Sequence, residues 1–311
     1  METFKRLLGK LIWALVFLLL LVGGSIWFYQ NRSQFETKVS YLPITKQEIT
    51  NRPTNISEPL GEVVSRELTD KQGDYAIAIK NLTTNESFEL NQDKIFTSAS
   101  LYKLWVMATA FDQINSGNLD ETEILSRDIA YLNKKFFIPP DYAELTKGGI
   151  TLSVRSAIEQ MITISHNYAS LLLTDRIKPE SIVSFLKNYE FNGSKFGTEA
   201  DPPTTTASDI ALFFEKLSNG TIINRGYSDR MLDVLKRVKR VDKLPKYLPE
   251  AALIAHKTGE LDYFTHDGGI VYGPKGPYII VVLTETKSPP DAQETIANIS
   301  KAVYNYFEQK P

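Results

Sequence analysis

The amino-acid sequence predicts an α/β (α+β) domain: one sheet assembled from strands at both ends of the chain, with a helical region inserted between them. Two patterns carry this expectation. Residues 74–90 and 253–284 contain strand-like runs, whereas apolar positions recur at helical spacing through most of the chain between. A third feature stands apart from the domain, an uncharged and mostly apolar run from Leu11 to Tyr29.

That run holds 19 residues, long enough to cross the bilayer core as a helix. Lys5, Arg6 and Lys10 precede it, while Arg32 and Lys38 follow with Glu36 between them. The basic excess in front predicts a cytoplasmic N-terminus and an extracytoplasmic remainder. A cleaved signal peptide is the alternative. Against it, Trp27, Phe28 and Tyr29 stand where a small-residue cleavage site would lie, and they look like an interface belt. The expectation is a single-pass cell-membrane protein held in the lipid bilayer through residues 11–29. Gln30 to about Pro59 is polar, contains Pro43, Pro53 and Pro59, and keeps no period, which predicts a spacer. The predicted organisation is therefore residues 1–30 as cytoplasmic tip and anchor, 31–60 as extracytoplasmic linker, and 61–311 as one domain. Within it, residues 61–97 and 251–311 form the α/β part and 98–250 the helical part.

The domain's first strand is Asp74–Lys80; Asn81 to Asn85 supplies turn residues and Glu86–Leu90 returns as a second strand. A helix follows, with Leu101, Leu104, Trp105, Ala108 and Phe111 on its apolar side. Thr97 or Ser98 can cap it, and Gly117 suits its left-handed end. Further helices are predicted over Val154–Ile164, Tyr168–Asp175, Pro179–Asn188, Ala207–Leu217 and Ser228–Arg237, the third with proline at its first position. Strands return at Leu253–Thr258, Gly269–Tyr272 and Tyr278–Thr284. The last is so continuously apolar that it should lie in the sheet's centre with both faces covered. Asp291–Phe307 closes the chain as an amphipathic helix. No internal repeat is visible.

Composition narrows the chemistry. The 311 residues contain 42% hydrophobic and 23% charged residues, ordinary for a globular protein. A net charge of −2 implies no nucleic-acid partner. The absence of cysteine excludes a disulfide framework, a thiol nucleophile and a thiolate metal site. The three histidines, His166, His256 and His266, form no metal-binding pattern, so neither metal nor cofactor is expected. Lys236, Arg237, Lys239, Arg240, Lys243 and Lys246 make a basic run, read foremost as a solvated helix end and alternatively as a contact for an anionic surface.

The candidate chemistry starts at Ser100-Leu101-Tyr102-Lys103. Residues three apart share a helix face, so hydroxyl and amine can touch. Burial disfavours an ammonium, and a lysine so desolvated can accept the serine proton. Such a pair is common by chance, but two further motifs follow it in order. Ser165-His166-Asn167 falls at a break between helical patterns, and Lys257-Thr258-Gly259-Glu260 ends a predicted strand. Alone, the first would be a helix cap and the second a strand end.

Ser-x-x-Lys, Ser-x-Asn and Lys-Thr-Gly in this order resemble the penicillin-recognising serine enzymes, which comprise class A β-lactamases and the DD-peptidases called penicillin-binding proteins. The resemblance runs from about Asp74 to the C-terminal helix and includes Asp267-Gly268-Gly269-Ile270-Val271-Tyr272-Gly273-Pro274, with the class A branch most similar. It implies an antiparallel sheet of about five strands flanked by helices, with an all-helical subdomain inserted. It further implies Ser100 as nucleophile and Lys103 as the base or the group that tunes the field around it. Ser165 would relay a proton to the leaving nitrogen, and Asn167 would bond both Lys103 and a substrate amide. Lys257 and Thr258 would meet a substrate carboxylate, and Gly259 would let the strand edge approach the substrate. The backbone N–H groups of Ser100 and Glu260 would form the oxyanion hole. His166 stands where the family usually has Asp, and a neighbouring hydrogen-bonding role is expected of it. His256, beside Lys257 on a strand, should face the other side and be structural.

One family feature is missing. Class A β-lactamases carry a long Ω-shaped loop with a Glu-x-x-Leu-Asn signature, whose glutamate activates the water that hydrolyses the acyl-enzyme. Here Phe196 to Thr206 is shorter, lacks that signature, and offers only Glu199 and Asp201 before the matching Thr204-Thr205-Thr206-Ala207 helix start. In this respect the chain resembles class A-like penicillin-binding proteins with shortened Ω-loops, known from cyanobacteria. The expectation is a monomeric acyl-serine hydrolase acting on D-Ala-D-Ala-type peptidoglycan stem peptides and acylated by β-lactams. A true class A β-lactamase using Glu199 or Asp201 is the alternative. A non-catalytic cell-wall-binding domain is the alternative from another class, and the intact Ser100, Lys103, Ser165 and Lys257 count against it.

Overall fold

The structure, a computed structural model, describes residues 59–197 and 201–309. The expected anchor at 11–29, the spacer up to residue 58 and Glu199 lie outside the described residues. No helix among the described residues is long and apolar enough to cross a membrane.

The described chain opens with helix α1 (Leu60–Leu68), which sequence patterning did not single out. Strands β1 (Asp74–Asn81) and β2 (Ser87–Leu90) follow, then the two-residue strand β3 (Phe96–Thr97). A 3₁₀ turn (Ala99–Tyr102) leads straight into α2 (Lys103–Asn115). Next come β4 (Ile124–Asp128), α3 (Ile129–Lys135), β5 (Gly149–Ser153), α4 (Val154–Thr163), α5 (Asn167–Ile177) and α6 (Pro179–Asn188). The chain ends with β6 (Thr204–Thr205), α7 (Ala207–Asn219), α8 (Arg225–Leu235), strands β7 (Leu253–Leu261), β8 (Phe264–Gly273) and β9 (Gly276–Glu285), and α9 (Pro289–Gln309).

The main sheet has the order β2-β1-β9-β8-β7, all antiparallel, so both chain ends supply it as expected. Central β9 is the apolar run Tyr278–Thr284. Its alternate residues point to opposite faces. Ile279, Val281 and Leu283 join the large core with α2 and α7, while Tyr278, Ile280 and Val282 join a second core with α1 and α9. Both faces of the strand are thereby dry. Helix α1 exists because Leu60 and Val64 complete that second core. Nine residues are too few for a stable isolated helix, so its stability comes from this packing.

The pairs β4–β5 and β3–β6 also lacked a sequence signal. β4 buries only Leu125, so no alternation marks it, and two-residue strands have no period at all. The expected cap at Thr97 or Ser98 is corrected by β3. Thr97 is in that strand, paired with Thr204, and Ser98 makes no side-chain capping bond. Ala99 then takes a left-handed backbone, φ 45°, and turns the chain so that the α-helix starts only at Lys103.

Candidate active site

Ser100 sits in the 3₁₀ turn, between β3 and α2. Three contacts hold the turn. Ser98 N–H donates to Pro203 O at 2.8 Å, Leu101 N–H donates to Ser98 O at 3.0 Å, and edge strand β7 packs alongside. Gly259 permits that approach, because a Cβ there would stand 3.0 Å from Ser98 O and 3.3 Å from the Ala99 Cβ. Its small size thus brings β7 against the nucleophile's own turn. His266 braces the same place from β8. Its Nδ1 accepts from Thr284 N–H at 3.1 Å, which leaves Nε2–H to donate to Thr97 O at 2.8 Å. Burial drives its pKa down to about 4, so the ring is neutral at pH 7.

Lys103 begins α2 one turn after Ser100 and is fully buried. Its Nζ lies 2.6 Å from Ser165 O and 2.6 Å from Asn167 Oδ1, and 3.1 Å from both Ser100 Oγ and Ser165 Oγ. Burial lowers its pKa well below the ordinary lysine value, and the charge of Lys257 lowers it further, while Glu144 opposes. A neutral amine has two N–H donors and one lone pair. The short contacts to two obligate acceptors, Ser165 O and Asn167 Oδ1, use both donors and leave the lone pair for a hydroxyl proton. The geometry therefore suits an amine that takes a proton from Ser100.

The Ser165-His166-Asn167 motif lies in the turn between α4 and α5. Ser165 has φ 58°, a conformation that costs a non-glycine residue roughly 1–3 kcal/mol and persists only under tertiary constraint. Here Lys103 bonds both the Ser165 carbonyl and its hydroxyl, and Lys257 bonds the hydroxyl as well. His166 N–H donates to Gln160 O at 3.1 Å, and the His166 ring Nδ1 accepts from Ala169 N–H at 3.3 Å as the cap of α5. Its role is thus the neighbouring hydrogen bond expected from sequence. Asn167 Nδ2 donates to Glu144 Oε1 at 2.5 Å. Glu144, from the exposed loop before β5, had no sequence signal.

Lys257 is fully buried and donates to Ser165 Oγ at 3.1 Å and to Thr258 O at 2.8 Å. Ser165 Oγ is therefore equidistant from two buried lysines. Burial takes the Lys257 pKa down to about 7; Asp267 opposes the fall and Lys243 adds to it. His256 faces away from Lys257, with Nδ1 2.8 Å from Asp267 Oδ1, and its structural role is as expected.

A cleft of about 360 Å³ is lined by Ser100, Ser165, Asn167, Lys257, Thr258 and Glu260, together with Ile162–Ile164 and Val238–Arg240. The structure thus brings all the catalytic candidates into one place, and Gly259 adjoins it on β7. The basic run is corrected in part. The run starts at the end of α8, where Lys236 is the C-cap and Arg237 donates to Asp233 O, but it leaves the helix there, and Lys243 is drawn fully inside by Glu260, with Nζ 2.6 Å from Oε1. Arg240 pairs with the other carboxylate oxygen and lines the cleft. Arg237 and Lys246 do remain on partly exposed pairs, with Glu159 and Glu294.

The short Ω segment is tied back by Lys195–Thr204 bonding and by β3–β6 pairing. Asp201 lines a different, apolar cleft with Tyr102, Phe136 and Phe196, not the one that holds Ser100. Among the described residues no group of His, Asp and Glu side chains is gathered to hold a metal ion.

Fold and site together define a serine hydrolase built around a desolvated lysine. The model of the Beta-lactamase enzyme family matches residues 59–307, and the chain belongs to that family. It is 22% identical to beta-lactamase VEB-1 of Pseudomonas aeruginosa over 275 residues, 78% of this chain and 88% of that one. A beta-lactamase of Streptomyces fradiae is 24% identical over 239 residues, 70% of this chain and 76% of the other. In fold it matches PBP-A with a TM-score of 0.71 at 23% identity, covering 81% of this chain and 96% of PBP-A. The beta-lactamase of Sphaerobacter thermophilus gives the same TM-score at 21% identity, covering 81% and 98%.

Proposed function

We propose that the chain is a membrane-anchored DD-peptidase-type acyl-serine hydrolase. It acts outside the cytoplasmic membrane on D-Ala-D-Ala-type peptides and is acylated by β-lactams. The observation that carries this reading is the contrast between a complete acylation apparatus and a Ser100 cleft with no Ω-segment carboxylate among its described lining residues. Ser100 Oγ attacks the carbonyl carbon as its proton passes to Lys103 Nζ, 3.1 Å away. The new C–O bond forms an oxyanion, which the backbone N–H groups of Ser100 and Glu260 receive. The C–N bond then breaks as Ser165, within 3.1 Å of both lysines, passes a proton to the leaving nitrogen. Lys257 and Thr258 hold the substrate carboxylate, and Asn167 holds the acyl-side amide. Water finally cleaves the ester, and without a base aimed at that water a penicilloyl ester is long-lived. A mutant of PBP-A, a protein of similar fold, has been seen as an acyl-enzyme complex with penicillin G.

A second reading, rapid β-lactam turnover, is favoured by Glu144, whose carboxylate touches Asn167. Intact-mass measurement on the full chain mixed with penicillin separates the two. A persistent adduct that disappears in Ser100→Ala supports the peptidase. A fleeting adduct with fast ring opening supports the β-lactamase, and no adduct at any time refutes both.

A further inference from the structure

Glu260 carries a side chain that an oxyanion role for its backbone does not require. Its Oε1 lies 2.6 Å from Lys243 Nζ and accepts from Gln293 Nε2 at 3.3 Å, and its Oε2 accepts from Arg240 Nη2. Arg240 also pairs through Nε with Asp242 at 3.2 Å. Arg240, Lys257, Thr258 and Glu260 line the same cleft as Ser100. A substrate carboxylate lying against Lys257 and Thr258 therefore enters next to a fixed carboxylate. That fixed carboxylate already occupies the guanidinium that lines the cleft, Arg240, and is itself held from behind by the buried Lys243. Like charges in a partly desolvated cleft repel, and a charge-assisted pair already made has to be given up before a new one forms. Protonation offers no escape near neutrality. Burial pushes the Glu260 carboxyl up, but Arg240 and Lys243 outweigh it and hold the pKa at about 2.

We propose that Glu260 is a specificity-determining residue, a built-in counter-carboxylate that competes with the substrate's own carboxylate for Arg240 and weakens the hold on anionic leaving groups. The proposal rests on the reading that the Ser100 cleft binds β-lactams and D-Ala-D-Ala-type peptides. Its consequence is a site that depends less on a free carboxylate than the cations around it suggest.

The test compares benzylpenicillin with its methyl ester, which differ only in that carboxylate. Affinities for the full chain are read by calorimetry in a Ser100→Ala background, where no acylation is needed. Adding Glu260→Gln should raise the acid-to-ester affinity ratio about tenfold, the scale of one charge-assisted hydrogen bond. It should also steepen the loss of acid binding with added salt. An unchanged or lowered ratio overturns the proposal. Because Glu260→Gln leaves the buried Lys243 with only the longer contact to Asp242, at 3.2 Å, the ratio is also read in Lys243→Met/Glu260→Gln, which removes both charges together. With Arg240 released there, a raised ratio supports the proposal even if the single variant fails to fold, and a flat one overturns it. Acylation of the unmodified chain is scored separately. Its failure would sink the proposed function, whereas a flat ratio beside normal acylation sinks only the role of Glu260.

Discussion

Replacing Lys257 by methionine should flatten the alkaline rise in stability. In the folded chain the Lys257 pKa is about 7, because burial penalises its charge, against 10.5 for an ordinary lysine. Between those values the unfolded chain binds a proton that the folded chain does not. Stability therefore rises with pH across this window, at up to roughly 1.36 kcal/mol per pH unit. From pH 6 to 9.5 about two and a half units of that window are traversed, which is about 3 kcal/mol from this one group. For a domain of this size that is about 10 °C in melting temperature. Lys257→Met lacks this contribution. It also relieves Lys103 of a neighbouring charge that lowers its pKa, which shrinks the Lys103 contribution in the same direction. Tyrosine titration affects both proteins alike and cancels in the difference. The assay is thermal or urea unfolding of both proteins at half-unit pH steps. Parallel stability curves from pH 6 to 9.5 would refute a desolvated Lys257, and with it the claim that Ser165 lies between two lysines able to give up protons.

Three further outcomes follow from named contacts. His266 has a folded pKa of about 4 against 6.5 for an ordinary histidine, so stability should be lost as pH falls through that window, by about 3 kcal/mol in all; acid unfolding of His266→Gln should show a shallower slope there. Gly259→Ala puts a Cβ 3.0 Å from Ser98 O and should displace the Ser100 turn. Adduct formation should slow roughly tenfold to a hundredfold while the melting temperature moves little, and a normal rate would count against the brace. Glu144→Gln keeps an acceptor for Asn167 but removes the charge that raises the Lys103 pKa. The acid limb of the acylation pH profile should then move to lower pH, and a stationary limb would show that Glu144 does not reach Lys103 electrostatically.

What could be read from sequence divides along a physical line. Central β9 was legible because burial on both faces imposes an unbroken apolar run, and α6 because proline marks its first turn. Ser100, Lys103, Ser165, Asn167 and Lys257 were legible because their chemistry needs fixed residue types at short, ordered spacings. A cap at Thr97 or Ser98 implies a helix start four or five residues ahead of the observed Lys103, since a left-handed Ala99 is set by tertiary contacts rather than by alanine's own preference. Helix α1 went unnoticed because its helical state depends on α9, more than two hundred residues later.

The same line separates the two halves of the chemistry. Ester formation uses groups that sit within a few residues of one another in three motifs, so the sequence displays them. Ester release depends on where a carboxylate stands relative to a water, and the segment that would display it, Phe196 to Thr206, lacks the family's signature. Glu144 reaches Asn167 from 23 residues upstream through an exposed loop, while Asp201, closer to the family's expected place, faces the Tyr102 cleft. Arg240 and Lys243 looked like one solvated basic run, yet Glu260 holds Arg240 at the cleft and Lys243 in the interior. In each case the deciding fact is a contact between residues far apart in the chain, which no short motif displays. Glu144 at Asn167 and Glu260 at Arg240 are therefore the charges on which the proposed readings of release and specificity turn, and neither is announced by a motif.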